Sequence, residues 1–267
     1  MKRLFLSAVL ALAAAAAVAA EPLTIATGKA GGGYDARAQQ IAQRLYQRGT
    51  EAEVANLNGS DEISLAVCGG RADVGLMQID AMYARSLEGC TMKPVAVYGT
   101  EYAFLLFPPR SSKDELSDLG ASDAILVDTI GSGTDLFWRT IVKIENSDDG
   151  SKDAWASARA VNDPLELAQA SAEMGDIAAV LLVRKPDSPH ITRLLDLGWT
   201  LGEMWDRDIN DLSFNGGSLY IAEKATVQFG KRRFRAWAYA VRSFIAVSSK
   251  VAAGDRTMFA AITGAAQ

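Results

Sequence analysis

The sequence contains few of the residues on which enzymes and metal sites usually depend. Its 267 residues include one histidine, His190, and two cysteines. Without a Cys/His cluster the pattern argues against a zinc site, and no catalytic triad is recognisable. His190 lies between Pro189 and Ile191, and we interpret it as a loop residue. We therefore expect no catalytic residue, no metal and no cofactor, although the many Asp and Glu residues leave a carboxylate-based enzyme open.

Nucleotide-binding motifs are also missing. Gly28, Gly31, Gly32 and Gly33 do not follow the Gly-x-Gly-x-x-Gly order of dinucleotide-binding turns, and the sequence has no Gly-Lys-Ser/Thr. The formal net charge is −5. Because an acidic protein is repelled by a phosphate backbone, nucleic acid is not an expected partner.

Long apolar runs are limited to the first residues. Met1-Lys2-Arg3 is basic, residues 4–18 are apolar and alanine-rich, and Val18-Ala19-Ala20 is a small-residue triplet. This order is typical of a secretory signal peptide cleaved near Ala20, so residues 1–20 are predicted to be removed and the protein to be periplasmic. A membrane anchor would need roughly 20 strongly apolar residues. No cysteine stands at the cleavage point to carry a lipid, so we expect a free protein that is not membrane-embedded.

The two cysteines, Cys68 and Cys90, would enter an oxidising compartment together. An even number of cysteines there favours a disulfide. Two buried thiols remain the alternative. A catalytic cysteine is disfavoured because His190 is the single histidine that could activate it.

The remaining sequence alternates short β-prone runs with helical patterns, which predicts an α/β fold with parallel strands. Residues 23–26, 53–57, 73–77, 95–107, 124–129, 159–161 and 177–183 are predicted strands. Pro108-Pro109 closes the longest of these runs and marks a place where the chain leaves one lobe. Near the C-terminus, residues 234–247 are predicted as an amphipathic helix.

Two glycine-rich loops stand between a strand and a helix, at residues 27–33 and 131–134. The first amides of a helix have no internal partner and favour negative charge, and glycine lets a ligand approach them. A tight turn without a ligand is the alternative interpretation of each loop. The occurrence of one loop in each half predicts an anion held between two lobes.

A basic cluster stands out in this acidic sequence. It consists of Lys231, Arg232, Arg233, Arg235 and Arg242. We interpret it as one solvated helix face, with a docking patch for a membrane partner as the alternative.

Four motifs follow one another between residues 23 and 140. They are Thr24-Ile25-Ala26-Thr27-Gly28 with Gly32-Gly33-Tyr34, then Asn58-Gly59-Ser60-Asp61-Glu62, then the run from Gly70 to Asp80, and then Gly131-Ser132-Gly133-Thr134. In this order they resemble the TAXI family, the extracytoplasmic solute receptors of tripartite ATP-independent periplasmic (TRAP) transporters.

The resemblance implies a type II periplasmic binding protein fold, with two α/β lobes and a ligand cleft between them. We predict that residues 21–107 and 215–267 form lobe 1 and that 108–214 form lobe 2. The implied partners are a small carboxylate ligand, such as glutamate, another amino acid or a dicarboxylate, and an integral membrane permease. Ligand contact is implied for Thr27, Gly32, Gly33, Tyr34, Ser60, Gln78, Asp80, Ser132, Gly133 and Thr134.

Other hypotheses stay open. Asp35-Ala36-Arg37 stands where the TAXI family usually has an aromatic residue and a proline, and the run from Gly31 to Arg37 is also similar to tripartite tricarboxylate receptors. The protein could also be a module that reports ligand occupancy to a membrane sensor kinase. A secreted enzyme acting on a carboxylated substrate would use Asp80 or Glu101 as its base.

Overall fold

The computed structural model describes residues 21–147 and 152–267. The signal-peptide prediction for residues 1–20 lies outside this part of the chain and stays a prediction. Twelve strands are present in the described residues: β1 Leu23–Thr27, β2 Ala52–Asn56, β3 Val74–Gln78, β4 Met92–Phe107, β5 Ala124–Leu126, β6 Arg159–Val161, β7 Ala179–Arg184, β8 Thr200–Gly202, β9 Ser213–Phe214, β10 Gly217–Ser218, β11 Ile221–Phe229 and β12 Arg232–Ser248.

Nine α-helices accompany the strands over the same described residues: α1 Gly33–Gln47, α2 Ser60–Cys68, α3 Ile79–Leu87, α4 Gly133–Glu145, α5 Ala168–Glu173, α6 Pro189–Asp196, α7 Arg207–Asp211, α8 Ser249–Gly254 and α9 Arg256–Ala266. Short 3-10 helices cover Leu116–Asp118, Ala154–Ser157 and Leu165–Leu167. None of the helices in the described ranges is both long and apolar enough to cross a membrane.

Ten strands form one curled sheet: eight follow the order β2-β1-β3-β12-β4-β7-β5-β6, while β11 pairs with β12 and β8 pairs with β4. At one end β1 pairs in parallel with β2 and β3, and at the other end β5 pairs in parallel with β6 and β7. β12 and β4 lie between these ends and are antiparallel to their neighbours. The predicted alternation of strands and helices therefore yields parallel βα units at both ends of the sheet.

Each end of the sheet is covered on both faces. In β1, Ile25 packs with α1 and α9, while the adjacent Ala26 packs with α2 and α3. Successive strand residues point to opposite faces, so two separate apolar clusters form. At the other end, Ile125 of β5 packs in a cluster with α4, and Leu126 packs with α6 in another. Burial on both faces explains why these strands are continuous apolar runs.

The long strands β4 and β12 connect the two ends. β12 pairs with β3 through residues 243–247 and with β11 through residues 232–240. β4 pairs with β7 through residues 102–106. The prediction of an amphipathic helix over residues 234–247 is wrong, because this segment lies in β12. Hydrogen bonding to strands on both sides outweighs the helical preference of its alanines.

The two cysteines form a disulfide. Cys68 ends α2 and Cys90 follows α3, and their sulfurs are 2.06 Å apart. This confirms the predicted Cys68–Cys90 bridge. It fastens the end of α2 to the segment that leads into β4.

The basic cluster lies on the β11–β12 hairpin instead of a helix, with Lys231 in the turn and the four arginines in β12. Arg232, Arg233 and Arg235 belong to the first part of β12, which forms a hairpin with β11. The guanidinium of Arg232 lies over the rings of Phe229 and Phe234, at 5.5 and 5.4 Å from their centroids. The prediction of one helix face is therefore wrong, and the docking interpretation stays a prediction.

Candidate functional site

A cavity of about 310 Å³ lies where several strands end and the following helices begin. β1, β3 and β7 all run toward it, and α1, α2 and α4 start at it. Ligands of open α/β sheets characteristically bind at the carboxyl ends of such strands. We call it the central cavity, and it is lined by Gly28, Lys29, Gly32, Gly33, Tyr34, Gly59, Ser60, Gln78, Glu101, Gly133 and Arg184.

Glycines begin two of the helices at this cavity. Gly32 is the N-cap of α1 and Gly59 is the N-cap of α2. Neither residue has a side chain that could accept a hydrogen bond from the first amides of its helix. The first amides of a helix have no partner within it, and the helix dipole makes this end attractive to anions. The start of α4 differs, since the Ser132 hydroxyl accepts a hydrogen bond from the Asp135 amide at 3.2 Å.

The turn before α4 closely approaches the turn before α2 and the end of β3 at the cavity. A Cβ atom on Gly133 would overlap the Gln78 side-chain amide, and a Cβ on Gly59 would lie 2.6 Å from the Gly131 carbonyl oxygen. At Gly59 the obstructing atom belongs to the backbone, so a larger residue would push the two turns apart, whereas at Gly133 it belongs to the end of the Gln78 side chain. Glycine is thus required here by the close approach of the two turns.

A chain of polar side chains lines one wall. The Tyr34 hydroxyl is 2.5 Å from the Ser243 hydroxyl and 3.4 Å from Glu101 Oε2, which also accepts a hydrogen bond of 3.1 Å from Gln78 Nε2. The Gln78 backbone amide donates to the Ser60 hydroxyl at 3.1 Å. Burial, and then the charge of Glu101, raise the pKa of Tyr34 well above its usual range, so the hydroxyl remains neutral.

One acceptor in this wall has no partner. Gln78 Oε1 is buried and receives no hydrogen bond from any described residue. A buried polar atom without a partner costs free energy, which a ligand with an N–H or O–H donor would offset.

Two cations, Lys29 and Arg184, also line the cavity. Both line the central cavity and a side cavity of about 180 Å³ beside it, which also contains Asn58 and Ser132. Arg184 Nη2 is held by Asp128 at 2.7 Å, and Arg184 Nη1 donates to the Val183 carbonyl at 2.9 Å.

The backbone of Asp128 is itself unusual. Its φ of 65° lies in the left-handed region, which is uncommon for residues other than glycine. Such a conformation has to be maintained by the surrounding structure. Here Asp128 accepts from Thr129 N at 2.7 Å and pairs with Arg184, so the conformation holds the guanidinium in place.

A third, outer cavity of about 340 Å³ continues from the central one. The two share Gly33, Tyr34, Glu101 and Arg184. The outer cavity is also lined by Tyr98, Gly99, Thr100, Lys185, Asp187, Ser188, Pro189 and Ser243. The three spaces together form one polar cleft with charges of both signs.

The structure divides the residues for which ligand contact was predicted. Gly32, Gly33, Tyr34, Ser60, Gln78 and Gly133 line the central cavity, and Ser132 lines the side cavity. Thr27, Asp80 and Thr134 are fully buried and line none of these spaces. The Thr134 hydroxyl accepts from the Val183 amide at 3.0 Å, which ties α4 to β7.

Asp80 lies in the interior beneath the cleft. Its carboxylate accepts a hydrogen bond of 3.2 Å from the Tyr220 hydroxyl and another of 2.9 Å from the Ala81 amide. Burial raises its pKa to about 7, with a further rise from Glu101, although both hydrogen bonds oppose the shift. The buried carboxyl of Asp80 therefore keeps its proton to a higher pH than an exposed aspartate does.

Sequence reasoning missed Arg184 and did not assign Lys29 or Asp128 to the site. Arg184 directly follows the apolar run 177–183, which was predicted as a buried parallel strand. Its place at the carboxyl end of such a strand was the signal that could have found it.

Neither the known protein-family models nor the curated protein sequences contain a match to this chain. Solved structures do resemble it. The substrate-binding protein of an amino acid ABC transporter aligns over 92% of both chains with a TM-score of 0.53 and 12% identity. A putative periplasmic sulfonate-binding protein from Methylobacillus flagellatus KT aligns over 92% of this chain and 67% of its own, with a TM-score of 0.55 and 14% identity.

The alkanesulfonate-binding protein of Xanthomonas axonopodis pv. citri, solved with MOPS, aligns over 93% of this chain and 73% of its own. Its TM-score is 0.51 and its identity is 17%. This chain has the two-lobed fold of periplasmic binding proteins. The predicted α/β, type II binding-protein fold is thereby confirmed. The observed strand order β2-β1-β3-β12-β4 belongs to this fold. At these identities the likeness shows the fold alone.

Proposed function

We propose that the protein is a periplasmic solute-binding protein that captures a small carboxylate ligand in the central cavity. The observation that carries the proposal is the lining of this cavity by the N-termini of α1 and α2, which have no side-chain cap, together with Lys29 and Arg184. Each charge-assisted hydrogen bond contributes roughly 1.5–3 kcal/mol. Four to six of them would support a micromolar complex, which needs about 8 kcal/mol.

The acceptors Glu101 and Gln78 Oε1 in this cavity favour an amino acid over a dicarboxylate. Glu101 and the unpartnered Gln78 Oε1 present acceptors and negative charge to the same space. A ligand ammonium would satisfy both, whereas a second carboxylate would be repelled by Glu101. The ligand is therefore a zwitterion whose carboxylate faces Arg184 and whose ammonium faces Glu101.

Closure of the two lobes around this ligand would signal occupancy. Arg139 of α4 forms an ion pair of 3.0 Å with Asp61 of α2, across the same junction as the contact between Gly59 and Gly131. The predicted division into residues 21–107 with 215–267 and residues 108–214 stays a prediction. The strand pairing favours crossings inside β4 and β12, near residues 100–102 and 241–243, where each strand changes partners.

Delivery to an integral membrane permease of the TRAP type follows from the resemblance to TAXI receptors. A tripartite tricarboxylate receptor and a module for a sensor kinase remain the competing assignments. The genes next to this one separate them: a multi-span permease argues for transport and a histidine kinase for signalling.

Isothermal titration calorimetry of residues 21–267 with a panel of amino acids and dicarboxylic acids tests the ligand class. We expect one or more amino acids to bind with micromolar affinity and to be recovered unchanged after incubation. Binding restricted to dicarboxylates would refute the zwitterion assignment. Turnover of the ligand would support the enzyme hypothesis instead.

A further inference from the structure

A second cluster of charged side chains lies far from the cleft, at the other end of α4. Glu145 ends this helix, Asp153 precedes the Ala154–Ser157 turn, and Asp206 is the N-cap of α7. One carboxylate oxygen from each lies within 4.8 Å of the other two. Since α4 rises by about 1.5 Å per residue, its 13 residues separate this cluster from Gly133 by about 18 Å.

Three carboxylates at this distance repel one another unless a cation or protons lie between them. None of the three forms an ion pair with a described residue. The cluster is also partly removed from water, because Glu145 is 3% exposed and Asp206 is 6% exposed. Asp153 is exposed, which leaves a path from the solvent.

One oxygen of the cluster has no partner. Glu145 Oε1 accepts from the Asp153 amide at 2.7 Å, but Glu145 Oε2 is buried and receives no hydrogen bond from the described residues. A buried carboxylate oxygen without a donor is costly. This atom is the independent sign that the cluster accommodates a ligand that the described residues do not supply.

The other buried carboxylate is held in a fixed orientation. Asp206 Oδ2 accepts from Trp155 Nε1 at 3.1 Å, and Asp206 Oδ1 accepts from the amides of Asp208 and Ile209 at 2.9 and 3.0 Å. Asp206 Oδ2 keeps a lone pair for a further ligand. Hydrogen bonds of this kind orient metal ligands and increase their affinity.

We propose that Glu145, Asp153 and Asp206 bind a Ca²⁺ ion that joins the end of α4 to the Ala154–Ser157 turn and to the start of α7. Oxygen ligands are those that Ca²⁺ prefers, at about 2.3–2.6 Å from the ion. Ligands on opposite sides of such an ion are about 4.6–5.2 Å apart and adjacent ligands are closer, so three oxygens that all lie within 4.8 Å of one another fit within one Ca²⁺ coordination shell. Mg²⁺ demands a near-ideal octahedron with ligands at about 2.0–2.1 Å and keeps several of its waters, so it is less suited to three carboxylates that the fold holds in place.

The sequence-based expectation of no metal was drawn from the missing Cys/His cluster, which speaks against zinc. It does not apply to an all-oxygen site of this kind. The ion stabilises the fold and takes no part in the binding of the solute, so this proposal and the proposed function fail or succeed separately.

The test is thermal unfolding of residues 21–267 by circular dichroism, first in a chelator and then with CaCl₂ or MgCl₂. At about 100 times its Kd, Ca²⁺ should raise Tm by about 5–10 °C, and Mg²⁺ should raise it less. Asp153→Ala removes an exposed ligand that makes no capping hydrogen bond, so this variant should fold. Asp196→Ala, an exposed residue at the end of α6, is the matched control.

Ca²⁺ should reverse the order of stability of the wild type and Asp153→Ala. In chelator, Asp153→Ala should be at least as stable as the wild type, because one of three repelling charges is gone. With Ca²⁺ the order should reverse, and Asp196→Ala should keep the full shift of the wild type. No Ca²⁺-dependent change in the wild type, or a full change in Asp153→Ala, would overturn the proposal.

Discussion

Gly59 and Gly131 approach so closely that a Cβ atom on Gly59 would lie 2.6 Å from the Gly131 carbonyl oxygen. This contact joins the turn before α2 to the turn before α4, and it exists because Gly59 carries no side chain. If the two lobes move apart and together, these glycines define how far they close.

Gly59→Ala should therefore hold the lobes apart and weaken solute binding at least about tenfold. The new methyl group meets backbone, which cannot rotate out of the way. Calorimetry with the tightest-binding member of the amino acid panel measures the loss. Small-angle X-ray scattering should show a smaller compaction on ligand addition than in the wild type.

Gly59 also has a φ of 107°, so strain alone could account for a loss in Gly59→Ala. Gly49→Ala controls for this, because Gly49 has a φ of 81° with no atom within 4 Å of a new Cβ. The steric explanation requires Gly49→Ala to bind like the wild type after correction for its stability. Equal losses in both variants would assign the effect to backbone strain.

Arg184→Gln should reduce ligand affinity by about 10- to 100-fold, since it removes a charge-assisted hydrogen bond to the carboxylate. Arg184→Lys keeps the charge without the planar fork and should lose less. Arg193→Gln, an arginine of α6 that lines none of the three cavities, is the control and should bind normally. Wild-type affinity in Arg184→Gln would show that the carboxylate lies elsewhere.

Asp80 predicts a pH dependence of stability. Its folded pKa of about 7 is above the ordinary value of 3.8, so folding takes up a proton. The resulting stabilisation is fully present below about pH 4 and is lost as the pH rises to about 7. The slope is at most about 1.4 kcal/mol per pH unit.

Urea unfolding at a series of pH values tests whether the protein loses stability as the pH rises. The free energy of unfolding of the wild type, relative to Asp80→Asn, should fall between about pH 4 and 7 and then level off. The substituted side-chain amide would keep an oxygen that can accept from Tyr220 but would not titrate. A difference that stays constant over this range would contradict the raised pKa.

The Cys68–Cys90 disulfide closes a loop with a sequence separation of 22 residues. Constraint of the unfolded chain by a loop of this length contributes about 3 kcal/mol. Replacement of both cysteines by alanine should lower the free energy of unfolding by about this amount in urea. Reduction of the wild type should lower the free energy of unfolding by the same amount. If the variant unfolds with the same free energy as the oxidised wild type, the bond is energetically neutral.

Local sequence patterns were sufficient to predict the parallel strands. β3 and β7 are buried on both faces, so their apolar residues are continuous and easily recognised. The glycine-rich turns before α1 and α4 were also recognised, because a close approach of backbones permits few other residues. Their convergence on one cavity depends on strand order, which the local pattern does not contain.

β12 could not be recognised in the same way. Its residues 236–241 alternate alanine with larger apolar side chains, and alanine has the highest helix propensity. Their strand conformation is imposed by pairing with β11 and with β4, and β4 lies far away in the sequence. Arg184 was missed because no glycine-rich turn follows its strand, although side chains at strand ends also reach the cleft.

A crystal structure of residues 21–267 with the tightest-binding amino acid tests the central claim most directly. The account predicts ligand density in the central cavity, with the carboxylate within hydrogen-bonding distance of Arg184 and of the first amides of α1, and with the ammonium at Glu101. Density outside this cavity, or a ligand whose carboxylate points away from Arg184, would contradict it.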